Sequence, residues 1–213
     1  MSSTTLDRYD ITGLILAGGR GTRMGGVDKG LQVWAGQPLV WHAWQRLQSQ
    51  VGTVIINANR HLDHYQRLGV PVYSDRLADY PGPLAGFAVG LHEAQTPYLL
   101  TVPCDSPRFP LDLASRLAQA LQQSSADIAM VSAPEITDGG ERVLRPQPVF
   151  CLMATHLTSS LLQYLASGQR KIDRWTELHR TVQVPFNLAQ DDPDAFANIN
   201  TLTDLNSLPC TPE

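Results

Sequence analysis

Leu14 to Lys29 reads LILAGGRGTRMGGVDK, an apolar run that breaks off into a glycine-rich, basic loop. Ile11 to Ala17, interrupted only by Thr12 and Gly13, has the length and composition of a buried strand. Behind it, Gly18, Gly19, Gly21, Gly25 and Gly26 alternate with Arg20, Arg23 and Lys29. Glycine lets the backbone turn with positive φ and approach a ligand closely, and successive turned amides aim their N–H groups into one anion-binding hollow. The three cations add formal charge to that hollow. A flexible loop closing a surface turn is the plain alternative, but so many glycines are costly to order unless something binds there. A polyphosphate is the expected ligand.

Two familiar phosphate loops are excluded. A P-loop needs Gly-Lys-Ser/Thr, whereas Lys29 lies between Asp28 and Gly30. The dinucleotide fingerprint starts at Gly19 and Gly21 but meets Met24 where its third glycine belongs.

Downstream, apolar runs at Thr53–Asn57, Val70–Tyr73, Pro97–Val102 and Ile128–Ser132 read as strands. Between them lie helical stretches at Leu39–Val51, around His61 to Leu68, from the Asp79–Gly86 turn through Ala94, and at Leu111–Gln123. Strand–helix alternation predicts an α/β fold, a mostly parallel sheet with helices on both faces. The alternation then stops. A turn at Asp138–Glu141 precedes an extended return at Pro146–Met153, helices at Thr155–Ala166 and Lys171–His179, and a strand at Thr181–Phe186. An extended Phe196–Asn200 and a short helix from Thr201 or Thr203 close the chain. At 213 residues one well-cored domain fits, spanning 11–213 behind a polar, loose tail at 1–10.

A net charge of −4 leaves no overall basic field for nucleic acid or an anionic membrane. Cys104, Cys151 and Cys210 are odd in number and widely spaced, which argues against a disulfide framework or a zinc site and fits a reducing cytosol. With a polar N-terminus and no long apolar run, the expectation is a cytoplasmic protein with no membrane partner.

Ligands of open parallel sheets bind beyond the carboxyl ends of the strands. The polar residues expected there are the glycine loop, Asn57, Asp75 and Asp105. Asp105 is too far ahead of the next helix, after Pro110, to cap it; a hard-oxygen site for Mg²⁺ explains it better. Lys29 would neutralise phosphate charge as the bond between the α- and β-phosphorus breaks. Asn57 offers a donor and an acceptor for a base or ribose edge, or closes an Asx-turn. Asp75 carries the same ambiguity. Asn198 and Asn200 alternate with Ile199, either facing an acceptor or lying on an ordinary edge strand. Arg170 and Lys171 either meet a second anion or cap a helix.

With these residues assembled, the chain resembles the molybdenum cofactor guanylyltransferases, within the wider nucleotidyltransferase superfamily. The carriers are LAGGRGTRMGGVDKG (Leu16–Gly30), NANRH (Asn57–His61), LADYPGPLAG (Leu77–Gly86), PCD (Pro103–Asp105) and NIN before Thr201. The resemblance implies a Rossmann-like nucleotidyltransferase domain whose first half holds GTP and whose second half holds the molybdopterin cofactor. It implies GTP contacts at Leu16, Ala17, Gly18, Gly19, Lys29, Asn57, Asp75 and Asp105, with Asp105 also on magnesium. Lys29, Asp105 and Arg23 would be catalytic. Pro83, Asn198, Asn200 and Arg170 would touch the acceptor, and other cofactor-biosynthesis proteins and acceptor molybdoenzymes are conceivable partners. The turn at Asp138–Arg142 matches no motif of the family. The implied reaction is in-line attack by an acceptor phosphate oxygen on the α-phosphorus of GTP, with no general-base histidine. Rival readings are a cytidylyltransferase on molybdopterin, a sugar-phosphate nucleotidyltransferase, and a non-catalytic GTP-sensing module.

Overall fold

The computed structural model describes residues 6–18, 28–76, 82–137 and 139–199. Along the chain run β1 (Ile11–Leu16), the short strands β2 (Val33–Trp34) and β3 (Gln37–Pro38), α1 (Leu39–Leu47), β4 (Thr53–Asn57), α2 (Leu62–Gln66) and β5 (Val72–Tyr73). Then come α3 (Pro83–Glu93), β6 (Tyr98–Pro103), α4 (Leu113–Ser124), β7 (Ile128–Ile136), β8 (Arg142–Ala154), α5 (Thr158–Ala166), α6 (Ile172–Thr176) and β9 (Thr181–Pro185).

Seven strands form one sheet in the order β5-β4-β1-β6-β8-β7-β9. β1 is central and pairs in parallel with β4 and β6, which is why all three read as continuous apolar runs. β8 alone runs antiparallel to its neighbours, β6 and β7. Successive strands step from β1 out to β4 and β5, then back across to β6. The strand order therefore reverses between β1 and β6, and a crevice opens there at the carboxyl ends.

Two apolar layers cover the sheet. One cluster joins α1 and α4 to the sheet through Leu47, Leu117 and Leu121; the other joins α3, α5 and α6 through Phe87, Leu161 and Trp175. α1 ends four residues earlier than periodicity predicts because Gln50 turns inward. Its buried amide nitrogen donates to Arg46 O (3.0 Å) and Pro110 O (3.1 Å), and its Oε1 accepts from Ala114 N (3.0 Å). The last of these satisfies an otherwise orphaned amide in the first turn of α4.

α3 is buried along Leu84–Leu91, and its small face explains how closely it approaches the sheet. A Cβ on Gly86 would lie 2.4 Å from Leu16 Cδ2 and 2.6 Å from Asn57 Oδ1. What comes close to this glycine face is the sheet itself. Gly86→Ala is expected to cost about 1–3 kcal/mol of stability in urea denaturation. It should also weaken nucleotide affinity, because the Asn57 amide has to move.

β7 and β8 are longer than expected. Pro134, Pro146 and Pro148 punctuate them in sequence, yet Ser132–Ile136 pairs with Arg142–Pro146. The last pair between β7 and β9 is Ser132 with Pro185, so beyond it β7 is an edge strand, where proline is tolerated. This ribbon runs past the end of β6 on the carboxyl side. Phe196 to Ile199, expected to be extended, forms no strand; Ile199 N instead donates to Asp105 O at 2.8 Å.

Within the expected tail, Asp7 caps a turn of 3₁₀ helix at Arg8–Asp10, and Arg8 Nη1 donates to Ser49 O at 3.3 Å. The expected final helix and Cys210 lie outside the described residues, as does Asp138 of the Asp138–Glu141 turn. Cys104 and Cys151 are buried free thiols. No helix among the described residues is long and apolar enough to cross a membrane.

A part-buried polar relay links the end of α6 to α5. The indole N–H of Trp175 donates to Ser160 Oγ (3.3 Å), and the same oxygen lies 2.9 Å from His179 Nε2. Burial lowers the His179 pKa below its ordinary 6.5, with Asp127 opposing and His156 assisting. A depressed histidine contributes stability that is complete above its unfolded pKa. The contribution is lost as pH falls through about 6.5 toward the folded value. Urea denaturation should show this acid-side loss, and His179→Gln should remove that part of the slope.

Candidate active site

The crevice between β1 and β6 is built from the segments that leave the carboxyl ends of the strands. After β1, Ala17 N donates to Asn57 O (2.8 Å) and Leu16 O accepts from Cys104 N (3.1 Å). These two bonds tie the start of the glycine loop to both neighbouring strand ends. The chain is described again at Asp28, and Lys29 to Leu31 form one turn of 3₁₀ helix. Lys29 Nζ lies 3.1 Å from Asp105 Oδ2, and both side chains are partly solvated. An ammonium from the loop after β1 and a carboxylate from the turn after β6 thus meet across the reversal point.

On the β4 side, Asn57 is 2% exposed, and its Nδ2 donates to Asp75 Oδ1 (2.9 Å) and Tyr73 O (3.2 Å). Asn59, which sequence reasoning passed over, clamps the same carboxylate. Its Nδ2 donates to Asp75 Oδ2 (2.8 Å) and Gly18 O (3.1 Å), while its Oδ1 accepts from Asp75 N (2.8 Å). Asn57, Asn59, Asp75 and Gly18 therefore form one hydrogen-bonded wall. The Asx-turn alternative for Asn57 gives way to a cross-strand bond.

A third group was also missed. Asp28 is 7% exposed; Tyr65 Oη donates to its Oδ1 at 2.6 Å, and His61 Nδ1 lies 3.1 Å from its Oδ2. Desolvation, the nearby Cys104 thiol and the bond to Asp28 raise the Tyr65 pKa, so the phenol keeps its proton and donates. Burial also pushes the Cys104 thiol well up, leaving it a protonated packing residue.

Among the described residues no cluster of three or more His, Cys, Asp or Glu side chains could hold a metal by itself. Magnesium does not require one, since it commonly takes one or two carboxylates and leaves its other positions to phosphates and water. The half-buried Asp105 carboxylate fits that demand.

The MobA-like NTP transferase domain family has a sequence model that matches residues 13–183. A protein of Acidovorax sp. (strain JS42) named molybdenum cofactor guanylyltransferase is 60% identical over 205 residues, covering 95% of this chain and 97% of its own. One of the same name from Bordetella petrii is 58% identical, covering 96% of this chain and 100% of its own. The chain belongs to the molybdenum cofactor guanylyltransferase family. As a member it is a nucleotidyltransferase enzyme of molybdenum cofactor biosynthesis. Solved structures show the same fold at low identity. Molybdopterin-guanine dinucleotide biosynthesis protein A from Archaeoglobus fulgidus aligns with TM-score 0.71 at 20% identity, over 92% of this chain and 95% of its own. The 4-diphosphocytidyl-2C-methyl-D-erythritol synthase of Anaerococcus prevotii aligns with TM-score 0.70 at 14% identity, over 96% of each chain.

In this guanylyltransferase a cavity of about 360 Å³ lies at the β7–β8 ribbon, lined among others by Pro134, Glu135, Arg142, Gln147, Asp194 and Asn198. Asn198 Oδ1 accepts from Ser106 Oγ at 2.6 Å, so its wall is anchored one residue past Asp105. Pro83 is exposed at the first turn of α3, after Gly82 with φ 125°. Arg170 Nη1 donates to Leu165 O (3.0 Å) and Gln169 O (2.6 Å), the capping role that its sequence also allowed. Gly19, Arg23 and Asn200 lie outside the described residues.

Proposed function

We propose that the chain transfers GMP from GTP to the molybdenum–molybdopterin cofactor, forming the guanine dinucleotide cofactor and releasing pyrophosphate. The observation that carries this is the Lys29–Asp105 pair at the reversal point of a guanylyltransferase-family sheet. GTP would lie along Leu16, Ala17, Gly18 and Gly19, its phosphates in the glycine loop and its nucleoside against the Asn57–Asp75 wall. Residues 11–213 would act as one domain, since both halves of the chain contribute strands to a single sheet.

A terminal phosphate oxygen of the acceptor forms the new bond to the α-phosphorus. The bond from the α-phosphorus to the bridging oxygen breaks, and pyrophosphate leaves with that electron pair. The nucleophile is already ionised, so no general base is required. Catalysis is then positioning and charge neutralisation, with Lys29 and Arg23 set against the phosphates. Bound magnesium, held by Asp105 and the phosphates, would supply further neutralisation of phosphate charge.

The acceptor would occupy the cavity at the β7–β8 ribbon, with Asn198 on one wall, and Asn200, Pro83 and Arg170 as further candidate contacts. The cavity's Asn198 is hydrogen-bonded to Ser106, the residue after Asp105, which is what supports bringing an attacking phosphate from there to the crevice. Soluble, cytoplasmic action with GTP and molybdopterin as substrates completes the reading. Calorimetric titration with GTP, CTP, UTP and ATP, each with Mg²⁺, tests it. Preferential binding of GTP supports the proposal, and preference for CTP or UTP overturns the guanylyl assignment.

A further inference from the structure

Asp28 sits immediately before the proposed catalytic lysine, and its surroundings are unusual for a loop residue. Its carboxyl group is almost fully buried, which is costly unless donors satisfy it. Both donors come from the segment after β4: Tyr65 on α2, itself 0% exposed, and His61 just ahead of that helix. His61 holds φ 49°, in the left-handed region, a strained conformation for a residue other than glycine. The same phenol also abuts the residue after Lys29, because a Cβ on Gly30 would lie 2.5 Å from Tyr65 Oη. Asp28 O accepts from Leu31 N at 3.2 Å and from Gln32 Nε2 at 3.4 Å. The residues on either side of Lys29 are thus fixed against one tyrosine, and the lysine between them reaches Asp105.

We propose that Asp28, Tyr65 and His61 form a positioning clamp that sets where the Lys29 ammonium lies in the crevice. None of the three needs to touch substrate. The clamp holds the backbone of Lys29 so that its side chain reaches phosphate charge in the transition state with little rearrangement. His61 therefore serves as a carboxyl anchor, which agrees with a reaction that needs no histidine base. The inference rests on the role proposed for Lys29 above.

The test is a double-mutant cycle on the full-length protein with GTP, Mg²⁺ and molybdopterin. Tyr65→Phe keeps the buried ring and deletes one donor. His61→Gly deletes the other while suiting the left-handed backbone. Each is expected to lower kcat about tenfold with KM for GTP changed less than about twofold. Combined with Lys29→Ala, each should cause less than about a twofold further loss, because its effect passes through the lysine. Losses that multiply in the double variants, or melting temperatures that fall in step with kcat, would overturn the clamp and leave the Lys29 assignment standing. A Lys29→Ala variant with undiminished turnover would instead overturn the reading on which the clamp rests.

Discussion

Asp105→Ala is expected to bring pyrophosphate release below detection at every magnesium concentration while leaving the far-UV CD spectrum and melting temperature native. Asp105 is where magnesium would be held, and its oxygen meets Lys29 at 3.1 Å. Removing the carboxylate takes away the proposed protein ligand for the cation and the acidic partner that draws the lysine toward the β6 end. The fold should not suffer. Both side chains keep solvent contact, and an ion pair of that kind contributes roughly 0–1 kcal/mol to stability. The backbone bond from Ile199 N to Asp105 O does not depend on the side chain. Turnover that persists in Asp105→Ala with an unchanged magnesium dependence would remove this residue from the metal site.

Lys29→Ala should lower kcat/KM about ten- to two-hundredfold, corresponding to loss of a charge-assisted contact worth roughly 1.5–3 kcal/mol. The loss should fall mainly on kcat, since the lysine is assigned to charge that grows as the α–β bridge breaks. Lys29→Arg is not expected to restore full activity. A planar guanidinium spreads its donors over a fork and does not reproduce a compact ammonium at the end of a flexible stem. Steady-state kinetics within twofold of the parent would contradict the assignment.

The central strands and the strand-end polar residues were legible because buried parallel strands leave a simple record. β1, β4 and β6 are largely apolar on both faces, and the glycine loop, Asn57 and Asp105 at their carboxyl ends mark the crevice. The wall around Asp75 was only half legible. Asn57 stands at a strand end, but the part played by Asn59 depends on β4 and β5 lying side by side, which brings residues 16 positions apart into contact. The Asp28 clamp was invisible for the same reason. Tyr65 lies in a stretch that reads simply as a helix, and only the packing of α2 against Asp28 reveals it as a buried donor 37 residues from its acceptor.

Prolines hid the full length of the β7–β8 ribbon, since the local reading of Pro134 and Pro146 is a break. β9 stops pairing with β7 at Ser132 and β6 stops pairing with β8 at Cys151, which leaves each proline on a free edge. The alternating Asn198-Ile199 pattern misled in the opposite direction. It reads as a strand, whereas Ile199 N donates to Asp105 O and Asn198 accepts from Ser106.

The most direct test of GMP transfer traces isotopic label from GTP to the pterin. The enzyme is incubated with molybdopterin cofactor, Mg²⁺ and GTP labelled in either its α- or its γ-phosphate, and the pterin product is isolated. The account predicts that α-label appears in the pterin product while γ-label leaves entirely as pyrophosphate. Label from the γ-phosphate on the pterin, or retention of α-label in free nucleotide under conditions where GTP binds, would contradict it.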